Sequence, residues 1–135
     1  MTKLLKLLYC QSLPFLLLAC SLFDSSADEV VDGYEVSWVN DPQQRSLRLG
    51  EQVIPPYVFA VGHNSKFIFA KRRDLNLING QEEIDESAVY YYIIERTKRS
   101  LQDKPVYGPL SEDAFITKCA ELGIEQPKFV LSYDD

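Results

Sequence analysis

The segment from Ala88 to Glu95, AVYYYIIE, constrains the fold more than any other stretch of the chain. Successive side chains of a β-strand point to opposite faces of its sheet. Even-numbered residues from Ala88 to Ile94 would line one face, and odd-numbered residues from Val89 to Ile93 the other. Both sets are apolar or aromatic, so both faces must be covered. We therefore predict a strand over 88–95 that lies centrally in an antiparallel sheet.

One α-helix is predicted between Ser111 and Gly123. Ser111 is a typical N-cap, and Glu112 and Asp113 follow it, where negative charge meets the positive end of the helix dipole. Gly123 suits the left-handed conformation that ends many helices. The apolar stripe of this helix consists of Phe115, Ile116, Cys119 and Leu122. That stripe predicts that the helix packs on a sheet.

The remaining sequence predicts a single α+β domain over residues 33–135, an antiparallel, curved β-sheet with one C-terminal-half α-helix packed on one face. Further strands are expected at 34–38, 45–49, 52–54, 57–61, 66–71 and 129–133. Asn79-Gly80 is a strong turn signal. Residues 81–87 are acidic and are predicted to form a loop.

The N-terminal residues 1–19 have the pattern of a secretory signal peptide, with Lys3 and Lys6 before a short apolar segment. The segment ends in Leu-Leu-Ala before Cys20, which resembles a bacterial lipobox. The resemblance implies cleavage before Cys20 and lipidation of that residue. The alternative is an ordinary signal peptide in which the cysteine occurs by chance. Residues 20–32 are rich in Ser and Asp and are predicted to form a lipidated, flexible tether.

A lipidated Cys20 would anchor the protein to a membrane of the cell envelope. Ser21 in place of Asp would resemble an outer-membrane address in a Gram-negative cell. Cys10 would leave with the signal peptide, so Cys119 would remain alone and no intramolecular disulfide is expected. Because Cys119 lies on the apolar stripe of the helix, we expect a buried, unreactive thiol.

No arrangement of catalytic or metal-binding residues is evident in the sequence. His63 is the only histidine, and its position predicts an exposed loop residue rather than a catalytic base. Four carboxylates cluster at 82–86 but lack the spacing and central glycine of a calcium loop. We predict no cofactor and no metal. The net charge of −6 argues against a nucleic-acid partner.

Two kinds of surface residue are candidates for binding. Basic residues follow two strands and could form one basic rim that contacts an anion: Lys71, Arg72, Arg73, Arg96, Lys98 and Arg99. Charges at a strand edge are the simpler interpretation. Tyr91, with Trp38 and Tyr133, is predicted to form a partner surface on the sheet face opposite the helix. Alternatively, residues 71–87 fold over that face and bury it.

Several short motifs resemble a group of small bacterial lipoproteins of unknown function. They are the lipobox, Gly33-Tyr34, the Ile-Pro-Pro-Tyr-Val segment at 54–58, the Tyr-Tyr-Ile-Ile strand at 91–94 and the Tyr-Gly-Pro-Leu corner at 107–110. The resemblance implies no catalytic residue. The sequence therefore predicts a lipid-anchored envelope protein that acts as a small binding module. An inhibitor of an envelope hydrolase is the alternative, and an enzyme is the third possibility.

Overall fold

The computed structural model describes residues 24–96 and 106–133. The predicted signal peptide and Cys20 therefore lie outside the described residues. The strands are β1 (Ser25–Val31), β2 (Tyr34–Val39), β3 (Ser46–Leu49), β4 (Glu51–Ile54), β5 (Val58–His63), β6 (Phe67–Ile78), β7 (Gln81–Glu95), β8 (Val106–Leu110) and β9 (Leu131–Ser132). A 3₁₀ turn spans Pro42–Gln44, and helix α1 spans Glu112–Leu122.

The strands form two antiparallel sheets. A four-stranded sheet has the order β1-β2-β3-β4, and a five-stranded sheet has the order β8-β7-β6-β5-β9. The α+β class is confirmed. The sequence predicted one sheet, whereas the structure has two. Pro55 and Pro56 follow β4 and separate the two sheets. Proline has no backbone N–H to donate to a ladder, so the chain leaves the first sheet there.

The segment predicted as a flexible tether, residues 20–32, instead contributes strand β1 over Ser25–Val31. β1 pairs with β2 through a tight turn at Asp32-Gly33, where φ is 54° and 82°. Positive φ at both positions is the requirement of a type I′ two-residue hairpin turn, and Asp-Gly meets it. The folded domain therefore begins about eight residues before the boundary that the sequence predicted.

Residues 88–95 of β7 are covered on both faces, as the sequence predicts. Tyr92 and Ile94 belong to the core between the two sheets, and Ile93 belongs to the core beneath the helix. β7 lies between β8 and β6, so it is an interior strand, although β6 is the middle one. The four-stranded sheet covers the face of β7 that carries Tyr92 and Ile94, which would be open in a single-sheet fold.

The predicted caps of helix α1 are confirmed. The Ser111 Oγ accepts a hydrogen bond from the Ala114 N–H at 3.2 Å. Gly123 has φ of 75°, and the Ile124 N–H donates to the Cys119 carbonyl at 2.8 Å. Cys119 is buried, and burial raises the pKa of its thiol. The described residues contain no helix long and apolar enough to cross a membrane.

Two predictions for loops and strands need correction. Residues 81–87, expected to be an acidic loop, are the first half of β7, which pairs with β6 across the predicted Asn79-Gly80 turn. The strand predicted at 129–133 is regular only over Leu131–Ser132. Before it, the chain passes so close to β5 that a Cβ on Gly62 would lie 1.8 Å from the Lys128 carbonyl oxygen. Only glycine fits there.

Candidate functional site

Tyr91 does not lie on an open face opposite the helix. Its ring stacks on Phe115 of α1, with centroids 4.6 Å apart and planes inclined by 25°. Burial raises the pKa of Tyr91, and the neighbouring Glu112 carboxylate raises it further. The alternation along β7 was predicted correctly, but the helix packs on the odd-numbered side. The expected location of Tyr91 is therefore wrong.

Trp38 and Tyr133 do not join Tyr91 in one surface. Trp38 is half-buried on β2, where it pairs with Ser26 of β1. Tyr133 packs against the core between the sheets and donates a hydrogen bond from its hydroxyl to Asp28 Oδ2 at 2.5 Å. Its burial, and then that bond, raise the pKa of Tyr133. Tyr91 belongs to the core beneath the helix instead.

Each of the three described arginines of the predicted rim contacts other residues of the fold. The Arg96 Nε lies 2.9 Å from Asp32 Oδ2, and Arg96 also donates to the Asn64 carbonyl. The Arg72 Nε donates to the Pro56 carbonyl at 2.6 Å. The Arg73 guanidinium lies 4.3 Å from the centroid of the Phe59 ring. These contacts tie β7 to the first hairpin and β6 to β5.

The four described basic residues do not form one rim. Lys71 pairs with Tyr91 midway along β7, and its ammonium lies 4.5 Å from the centroid of the Phe129 ring. Arg96 lies at the end of the same strand, where its N–H donates to the Lys66 carbonyl. The five strand positions between 91 and 96 correspond to roughly 16 Å. Lys98 and Arg99 lie outside the described residues.

A feature missed by the sequence analysis is the far half of the β6–β7 hairpin, residues 74–87, here called the arm. β5 pairs with β6 only as far as Arg72, and β8 pairs with β7 only at Tyr91 and beyond. From Asp74 to Ile78, β6 pairs with β7 alone. In the part of the chain that the structure describes, both outer edges of the arm therefore lack a strand neighbour.

Side-chain hydrogen bonds fix the base of the arm. No residue of β6 lies in register opposite residues 86–88 of β7, because the register shifts between Arg73 and Asp74. Asp85 spans this bulge: its carboxylate accepts from the Ser87 Oγ at 2.6 Å, the Ser87 N–H at 3.0 Å and the Asn76 Nδ2 at 2.7 Å. These hydrogen bonds lower the pKa of Asp85. The bond from the Ser87 side chain has the largest effect, and the bond from Asn76 has the next largest. Bulges of this kind redirect a strand, so the arm is held in a set direction.

The two faces of the arm differ in chemistry. Cross-strand pairs put Leu75, Leu77, Glu82 and Ile84 on one face, and Asp74, Asn76, Ile78, Gln81, Glu83 and Asp85 on the other. Near the tip, Leu77 is 76% exposed and Ile78 is 47% exposed. The arm carries five carboxylates, and no Lys or Arg occurs between Arg73 and Arg96. The arm is therefore an acidic, amphipathic hairpin with an exposed apolar tip.

The surface also has a groove of about 470 Å³ beside α1. Its lining is mostly apolar and includes Phe115, Ile116, Ala120, Ile124 and Pro127. In the described ranges, no group of three His, Cys, Asp or Glu side chains could hold a metal ion. His63 is exposed, as expected.

The sequence contains a signal that could have revealed the arm. Asn79-Gly80 is flanked by alternating apolar residues, Leu75 and Leu77 before it and Ile84 after it. Such flanks around Asn-Gly are the usual signature of a two-residue hairpin. The acidic residues at 82–86 favoured a loop because charged residues are depleted in strands.

Comparison with protein families places the chain in one family. Residues 21–131 match a family of proteins of unknown function, DUF3997. The match covers most of the chain, so the chain belongs to this family. It includes β1, in agreement with the early start of the folded domain. No curated protein matches the chain, and no solved structure matches it.

Proposed function

We propose that the protein is a lipid-anchored interaction module of the cell envelope that binds another protein through the arm. The anchor would be Cys20, at the end of the signal-like segment. Strand β1 begins at Ser25, five residues later. Five extended residues reach at most about 18 Å, so a lipidated Cys20 would hold the domain close to the membrane.

The exposed apolar tip of the arm carries the interaction part of this proposal. A two-stranded hairpin is marginally stable by itself, and ordering each residue costs about 1–2 kcal/mol. Leu77 and Ile78 offset little of this cost because both remain exposed. The bonds made by Asp85 nevertheless fix the direction of the arm. An ordered, exposed apolar tip that contributes little to the core is well suited to contact another molecule.

The alternative function, inhibition of an envelope hydrolase, uses the same feature. A rigid projecting hairpin can enter a cleft, and preorganisation lowers the entropic cost of binding. The two functions differ in the identity of the partner, which would be a hydrolase in the second case. An activity assay on the captured partner, with and without this protein, separates them.

The anchor is tested by fractionation of cells that express Cys20→Ser. We expect the wild-type protein in the membrane fraction and the variant outside it, because the variant lacks the thiol that would carry lipid. Cys10→Ser is the matched control and should fractionate as the wild type does. A Cys20→Ser protein that stays in the membrane fraction would show that this thiol is not the anchor.

The arm is tested by photo-crosslinking in intact cells. A photoreactive amino acid replaces Leu77 at the tip or, as control, Val39 in the other sheet, which is 62% exposed. We expect a discrete adduct of higher mass from position 77 and none from position 39. Absence of an adduct at 77, or the same adducts from both positions, would contradict the proposal.

A further inference from the structure

We propose that the partner adds a β-strand to the outer edge of β7 at residues 81–85, and that the added segment is an extended polypeptide with Lys or Arg opposite Glu83 and Asp85 and an aliphatic residue opposite Ile84. The inference rests on the proposed function, that the arm is the interaction surface. It goes further by assigning the mode of contact and the chemistry of the partner.

The backbone of the arm provides the first argument. Residues 81–85 of β7 pair with β6 on one side, from Gln81 opposite Ile78 to Asp85 opposite Asp74. On the other side, β8 ends opposite Tyr91. The outward N–H and C=O groups of residues 81–85 therefore have no strand partner in the described part of the chain. Such an edge is a template for an added strand.

The connection between β7 and β8 has too few residues to reach this edge. Residues 97–105 connect β7 to β8, and both ends of the connection lie near Ile94, which pairs with Val106. Half of these nine residues must lead away from the sheet and half must lead back, so the connection can reach at most about 17 Å from its ends. Ile94 and Asp85 are nine strand positions apart, about 30 Å. We therefore assign the edge to another molecule.

The charge of the arm determines the chemistry of the partner. Glu83 and Asp85 lie on one face of β7, and Ile84 lies on the other together with Glu82. Side chains directly opposite on neighbouring strands are about 5 Å apart, where opposite charges attract. Lys or Arg beside the carboxylates and an aliphatic residue beside Ile84 would match this pattern. A second copy of this chain, with net charge −6, and an anionic lipid surface would both be repelled.

Peptide binding to the full-length protein in neutral detergent micelles tests the inference. The probe is a fluorescent, end-blocked peptide of alternating Lys and Val, and the readout is fluorescence anisotropy. Two further peptides are methylated on backbone nitrogens. One carries the methyl groups on every Lys, and the other carries them on every Val. Because alternate N–H groups of a strand point to the same neighbour, we expect one methylated peptide to bind at least tenfold more weakly. The other should bind like the unmodified peptide.

A charge reversal on the protein provides the second part of the test. Glu83→Lys should weaken binding of the unmodified peptide by roughly fivefold or more, since it replaces an attraction with a repulsion. Glu51→Lys reverses another exposed strand carboxylate, in the other sheet, and should leave binding unchanged. Equal effects of the two reversals would overturn the inference.

The outcomes separate the inference from the proposed function. Equal binding of both methylated peptides would indicate contact by charge alone and would overturn strand addition. No binding of any peptide would overturn the inference as well. Neither result removes an adduct at position 77, which supports the arm as the interaction surface. Loss of that adduct instead contradicts the proposed function itself.

Discussion

Replacement of Phe115 by Ala should remove much of the attachment of helix α1 to the five-stranded sheet. Phe115 is 4% exposed, stacks on Tyr91 and lies 6.3 Å from the Phe129 ring. Truncation of a buried Phe typically costs 3–5 kcal/mol, which includes the cavity left behind. The neighbouring groove allows some collapse of that cavity, so we expect a loss of about 3 kcal/mol in the free energy of unfolding.

The assay is urea unfolding followed by circular dichroism, in which an unchanged slope and a lower midpoint report lost stability. Ile116→Ala is the matched control because Ile116 adjoins Phe115 on the same helix but is 59% exposed. The control should cost less than about 1 kcal/mol. Equal, small losses in the two variants would refute the docking of α1 through Phe115.

Two further predictions concern side-chain hydrogen bonds. Ser111→Ala should lower the free energy of unfolding by about 1 kcal/mol in the same assay, through loss of the helix cap; a loss near zero would mean that the cap contributes nothing. An NMR titration should give Asp85 a pKa below the ordinary Asp value of 3.8, and Asn76→Ala should move it upward. Since the pKa is lower in the folded state, the stabilisation by Asp85 is present above about pH 4 and is lost as pH falls through the folded pKa. A pKa at or above the ordinary value would contradict the hydrogen bonds assigned to Asp85.

Local signals in the sequence were sufficient for several elements. The two-sided apolar pattern of residues 88–95 predicted an interior strand, and Ser111 and Gly123 marked both ends of the helix. These features depend on neighbours within a few residues, which the sequence displays directly. The antiparallel α+β class followed from the order of such elements.

Long-range arrangement could not be read from the same patterns. Alternation along β7 divides its side chains into two sets but does not say which set faces the helix, so Tyr91 was assigned to the wrong side. The four-stranded sheet includes β1, whose Asp32-Gly33 turn was not used as a hairpin signal. The candidate site was missed because the charges at 82–86 outweighed the Asn79-Gly80 turn. Register, which brings Asp85 opposite Asp74, depends on a bulge with no simple sequence signature.

A variant with a shortened arm tests the central claim most directly. Removal of residues 76–77 and 82–83 leaves Leu75 opposite Ile84 and Ile78 opposite Gln81, so each remaining side chain keeps its face. The measurement is chemical crosslinking in intact cells, with wild-type and shortened proteins compared in the same membrane fraction. We predict a discrete crosslinked complex for the wild type and its loss in the shortened variant, with little change in the unfolding midpoint. A shortened protein that still forms the same complex would contradict the assignment of the arm as the interaction surface.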